Sequence, residues 1–132
     1  MKRVTGIGGI FFKTKDPHAM RDWYSQHLGL TTDQHGATFE WRESQDPAQK
    51  GVTTWSPFPE QTSYFSPSSK EFMLNFRVAN LEELLVLLRQ EGVEVIGEME
   101  VYEYGKFGWI LDPEGNKIEL WEPVANEPDK LV

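Results

Sequence analysis

At 132 residues the chain has the size of one domain, able to bury roughly two thirds of its unfolded surface in a single core, and two independent domains would be cramped. It has no cysteine, which rules out a disulfide framework, a thiolate metal site and a cysteine nucleophile. A net charge of −8, from 21 acidic against 13 basic residues, opposes binding to nucleic acid or anionic membrane, and neither partner is expected. With no apolar run near the roughly 18 residues of a membrane span and no secretory leader pattern, a soluble cytoplasmic protein is expected.

In chain order, Ile7 to Thr14 is a glycine-rich apolar run of strand formers. Asp16 then stands as a helix N-cap with Pro17 at the first helical position, where its missing N–H is no loss. Met20, Trp23, Tyr24 and Leu28 follow at helical spacing, and Gly29 supplies the stop. Three strands are expected next, over 30–34, 37–42 and 52–55. The stretch 57–70, with three Pro and four Ser around Tyr64 and Phe65, reads as a loop long enough to cover something.

The same grammar then repeats. Phe72 to Val78 alternates, placing Phe72, Leu74, Phe76 and Val78 on one face and Met73, Asn75 and Arg77 on the other. Asn80 caps a second helix and forms a capping box with Glu83. The stripe Leu81, Leu84, Leu85, Leu88 and the stop Gly92 complete it. Strands over 93–104, 107–111 and 117–121 follow, the last two joined by the turn Asp112-Pro113-Glu114-Gly115-Asn116. The two caps stand 64 residues apart and the two stop glycines 63, an internal duplication. The expected fold is α+β: two βαβββ modules in tandem, forming one curled mixed sheet around a cleft. Module one spans about 1–57, a linker 58–70 and module two 71–122, in a single domain over 1–122 with an unstructured tail at 123–132. Whether the modules pair within a chain or across a dimer is left open.

The Lys15-Asp16-Pro17 start, the Trp23-Tyr24 helix closing on Leu28-Gly29-Leu30, the segment Gly105 to Trp109, the Asp112 to Asn116 turn and the ending Ile118-Glu119-Leu120-Trp121 resemble the vicinal oxygen chelate superfamily. That group includes glyoxalases, bleomycin resistance proteins and extradiol dioxygenases. The resemblance covers nearly the whole chain. It implies two modules enclosing a cup, homodimerisation and, in the enzymes, a divalent metal held by His, Glu or Gln that polarises two neighbouring substrate oxygens as a Lewis acid.

Transferred residue by residue, the family's ligand positions fall on Gly9, Met73, Glu119 and, through the 64-residue offset, Trp55. Glycine and tryptophan offer no ligand, and a thioether is too soft for hard cations. A lone carboxylate does not hold a catalytic ion, so no metal and no cofactor are expected.

Strand parity turns Glu119 and Trp121 toward the cup, with Ile118 and Leu120 under the helices. Met73, Asn75, Arg77, Phe11, Trp55 and Trp109 are expected beside them as ligand-binding residues, a polar spot in an aromatic bowl that suits a chain with five Trp. Glu119 is the only catalytic candidate; its alternative is a strand carboxylate exposed or paired with Arg77 or Lys117. His18, His27 and His35 read as surface residues. Gly6 to Gly9 precedes a strand rather than opening a helix, which argues for close packing over a phosphate loop. Three functions compete: a metal-free protein that sequesters or senses a small aromatic or amphipathic molecule; a metal-dependent lyase, isomerase or dioxygenase of the glyoxalase type, recruiting Glu40 or His35; and an accessory subunit whose own side chains fill the cup.

Overall fold

The computed structural model describes residues 3–124. Its elements run β1 (Val4–Thr14), α1 (Pro17–Leu28), β2 (Ala37–Arg42), β3 (Lys50–Pro59), β4 (Phe72–Val78), α2 (Leu81–Gln90), β5 (Val95–Tyr102), β6 (Gly105–Leu111) and β7 (Lys117–Pro123). The helix punctuation acts as its chemistry dictates. The Asp16 carboxylate accepts from Ala19 N at 3.0 Å, and Gly29 closes α1 in the left-handed region at φ 71°. Asn80 Oδ1 accepts from Glu83 N at 3.2 Å. A second cap arrives from outside the helix: Leu81 N donates to the Glu122 carboxylate on β7 at 2.8 Å, tying the start of α2 to the last strand.

One seven-stranded mixed sheet results, in the order β2-β3-β1-β4-β7-β6-β5. The modules join within the chain through the antiparallel β1–β4 pair, and each first strand runs parallel to the last strand of its own module, β1 with β3 and β4 with β7. Module two is βαβββ. Module one is βαββ, because the segment 30–34 expected as a strand is a loop. Its residues Thr31-Thr32-Asp33-Gln34 offer no apolar alternation, and the Asp33 carboxylate accepts from the backbone N–H of His35 and Gly36 at 2.8 and 3.1 Å, a turn that competes with extended pairing. β7 extends to Pro123, and the remainder of the tail expected from 123, from 125 onward, lies outside the described residues.

The sheet curls with both helices on its outer side, and α2 builds the apolar core. Leu81, Leu84 and Leu85 pack there with Val78 and Leu120, flanked by Ile110 and Ile118. The α1 stripe does less: none of its residues is buried, and Trp23 and Leu28 keep 52% and 59% of their surface in solvent. On the inner side, Gly8 sits against its neighbours so closely that a Cβ there would fall 2.2 Å from Asn75 Oδ1, which accounts for the glycine run by backbone approach. The 112–116 turn is fixed by Asp112, whose carboxylate accepts from the backbone N–H of Glu114 and Asn116, each at 2.9 Å. Hydrogen bonds from Asn116 hold its pKa below the usual carboxylate range.

Because Leu120 is buried under α2 while Leu28 is largely exposed, Leu120→Ala is expected to lower stability by about 2–5 kcal/mol and Leu28→Ala by no more than about 0.5 kcal/mol, as measured by urea denaturation.

Candidate functional site

Between the two halves of the inner face lies a cavity of about 420 Å³. One wall carries Phe11 from β1, Thr54, Ser56 and Phe58 from β3, and Tyr64 from the loop before β4; the opposite wall carries Tyr102, Tyr104, Phe107 and Trp109. The rings interlock. Phe58 stacks on Tyr64 at 5.9 Å between centroids, Tyr64 meets Trp109 edge-on at 6.4 Å, and Tyr102 stacks on Tyr104 at 5.4 Å. Glu119 lies at the bottom, 1% exposed, while Glu100 and His35 border the cavity at exposed positions.

Register explains how Glu119 comes to be there. β7 pairs Asn75 with Glu119 on one side and Trp109 with Glu119 on the other, so three side chains of adjacent strands project to the same spot. Asn75 Nδ2 donates to Oε1 at 2.6 Å, Trp109 Nε1 donates to Oε2 at 2.9 Å, and the Tyr64 hydroxyl donates to Oε2 in a very short bond. All three partners are donors, the arrangement an ionised carboxylate requires. Burial still outweighs them and lifts the Glu119 pKa above its ordinary value. The Tyr64 hydroxyl is pushed up as well, first by burial and then by the Glu119 charge. Lys117 donates to the Tyr64 carbonyl at 2.7 Å and lies over the Tyr64 and Trp109 rings; burial lowers its pKa.

Of the residues expected at the cup, Phe11, Trp109 and Glu119 border the cavity. Met73, Asn75, Arg77 and Trp121 share the inner face without lining it. Met73 is sealed beneath Phe11 and Phe65, Asn75 is occupied by Glu119, and the Arg77 guanidinium lies over Trp41 and Trp121 at 5.4 and 5.1 Å. Glu119 is accordingly held by amide, indole and phenol, rather than paired with Arg77 as one sequence alternative had it. Trp55 is a correction: it sits on the outer side, its ring against Phe12 at 5.4 Å and Tyr24 at 4.4 Å. Its cup position was inferred with the 64-residue offset of the caps. The ladders instead match Phe11 with Ser56 in module one and Asn75 with Glu119 in module two, so the counterpart of Glu119 is Ser56, 63 residues earlier. A one-residue difference reverses the face of a strand. Ser56 Oγ donates to the His35 carbonyl at 2.5 Å, which draws the His35 backbone to the cavity edge. Glu40 is exposed on β2 and borders no part of the cavity.

A divalent ion needs about three protein ligands. Among the described residues no three His, Asp, Glu or Cys converge, and the side chains that reach Glu119 are hydrogen-bond donors, not further ligands for a divalent ion. The residues around Glu119 do not fit the superfamily's metal.

The architecture has clear parallels. Residues 9–121 match the family model described as "Glyoxalase-like domain". Methylmalonyl-CoA epimerase from Streptomyces coelicolor, as a variant in complex with 2-nitronate-propionyl-CoA, superposes with a TM-score of 0.68 at 16% identity, over 95% of this chain and 99% of that one. The Mycobacterium tuberculosis methylmalonyl-CoA epimerase gives 0.61 at 20% identity, over 92% and 89%. A hypothetical protein from Bacillus halodurans C-125 gives 0.62 at 14%, over 92% and 96%. No curated protein sequence matches. Two curled half-sheets around a central cup define a vicinal oxygen chelate fold. Within that superfamily the chain belongs to the glyoxalase-like domain family.

The raised Glu119 pKa has a signed consequence. A carboxyl whose folded-state pKa lies above its unfolded value of about 4.5 stabilises the fold most below that value, and the contribution is lost as pH rises through the folded pKa. The stability of wild type minus that of Glu119→Gln, measured by denaturation between pH 4.5 and 8, is therefore expected to shift in the variant's favour as pH rises.

Proposed function

We propose that the protein binds a small aromatic or amphipathic molecule in this cavity without a metal, as a sequestering or sensing protein. The observation that carries the reading is an aromatic cavity of about 420 Å³ that ends on a buried, donor-held carboxylate. The volume falls in the range of small-molecule sites, about 300–1,000 Å³. Seven aromatic side chains border it, the kind of surface that holds a ring or an alkyl body, and the polar floor sets its orientation. The neighbouring epimerases are enzymes, which favours catalysis by analogy of fold. Against a metal-dependent lyase, isomerase or dioxygenase stand the neighbours of Glu119, an amide, an indole and a phenol that donate to it instead of serving with it as further ligands of an ion.

The uncharged fluorescent probe N-phenylnaphthylamine tests this. One site per chain is expected, unchanged after dialysis against EDTA, with Phe107→Ala weakening binding about tenfold through the loss of one aromatic wall. Absence of saturable binding, or binding that EDTA abolishes, would reject the proposal.

The same reading includes a homodimer, since Ile7, Ile10 and Phe72 on the outer sheet face and Trp23 and Leu28 on α1 remain exposed and apolar. Light scattering is expected to give twice the 15.3 kDa chain mass; a single species of 15.3 kDa throughout the micromolar range would overturn it.

A further inference from the structure

The charge around the cavity is one-sided. Glu100 and Glu119 both border it, and no Lys or Arg does. Lys117, whose charge reaches Glu119, instead spends a hydrogen bond on the Tyr64 carbonyl and lies over the Tyr64 and Trp109 rings without entering the lining. The rings suit the same sign, because a cation is attracted to an aromatic face, and Tyr102, Tyr104 and Phe107 border the cavity together with Glu100. Burial holding the Glu119 pKa up means that its donors and Lys117 together undercompensate the carboxylate.

A second feature of this wall is independent of charge. Thr54 borders the cavity at 4% exposure, and its Oγ1 has no hydrogen-bond partner among the described residues. A buried hydroxyl left unpaired is unfavourable, and Thr54 Oγ1, closed off by its neighbours, gains a partner from the cavity only by rotating its side chain toward an occupant. The remaining polar groups of this floor have already given away their hydrogens. The Ser56 hydroxyl donates to the His35 carbonyl and the Tyr64 hydroxyl to Glu119, so what either can still offer a ligand is an acceptor lone pair.

We propose that the cavity selects an organic cation: a protonated amine or quaternary ammonium group on an aromatic or amphipathic body. The inference rests on the binding reading and narrows its ligand class. The ammonium group sits among the rings near Glu100 and Glu119, its N–H hydrogens or polarised methyl groups meet the acceptor floor, and the apolar body lies along Phe11 and Phe58. Carboxylates and phosphate esters are disfavoured by the two glutamates.

The test is isothermal titration calorimetry at neutral pH with three probes that share a ring and differ in head group: naphthylethylammonium, naphthylacetamide and naphthylacetate. The ammonium is expected to bind at least about tenfold more tightly than the amide, and the acetate most weakly. Glu100→Gln, at an exposed strand position outside the buried Glu119 hydrogen-bond cluster, is expected to narrow the ammonium-to-amide ratio several-fold. An ammonium no tighter than the amide, an acetate that binds best, or a ratio unmoved by Glu100→Gln would overturn cation selection and leave the binding reading standing. Failure of all three probes and of N-phenylnaphthylamine would overturn both.

Discussion

A carboxylate at 1% exposure is tolerable only when the surrounding structure replaces the water it has lost, and in this protein that replacement comes from two strands of module two and from the loop that precedes it. Asn75 comes from β4, Trp109 from β6, Glu119 from β7 and Tyr64 from the loop that bridges the modules. The three donors reach one carboxyl only if the parallel β4–β7 register, the antiparallel β6–β7 register and the course of the loop all hold at once. Slipping any one of them by a residue turns a donor to the opposite face and strands a charge. The site and the fold are thus specified by the same set of hydrogen bonds.

The duplication gives the cup two unlike halves. Where module two projects Glu119, module one projects Ser56, and where module two has a stripe of buried leucines under its sheet, module one has a helix with no buried residue. Packing energy and polarity are divided accordingly. Module two supplies the aliphatic core and the ionisable group; module one supplies Phe11, Phe58 and two hydroxyls, a wall that receives rather than anchors.

Features of this chain that are local were legible in the sequence. Asp16 and Asn80 cap as their side chains require, Asp112 shapes its turn, and alternation along β7 puts Leu120 with the α2 leucines and Glu119 on the inner face. Features that depend on a distant partner were not. The Tyr64 hydroxyl reaches a carboxylate 55 residues away, and the only hint was an aromatic pair inside a Pro- and Ser-rich loop. Trp55 was placed on the wrong face because two periodic markers, 64 and 63 residues, differ by the one residue that decides orientation. At 30–34 the β-branched Thr31 and Thr32 favour an extended chain, whereas Asp33 commits the backbone to a turn, and the turn wins.

The Tyr64 hydroxyl gives the cavity an occupant of its own. Any group that seeks Glu119 Oε2 meets a covalently tethered rival already bonded there, held at an effective concentration that no dissolved phenol attains. Apparent affinity is then the intrinsic affinity scaled by the fraction of time that rival stands aside. A weak hydrogen-bonding guest is screened out, whereas one that satisfies both the oxygen and the displaced hydroxyl loses nothing by the exchange. If the cavity binds as proposed, discrimination of this kind is set by the leash as much as by the pocket, and residues of the 60–71 loop that touch no guest would help decide which guests are retained.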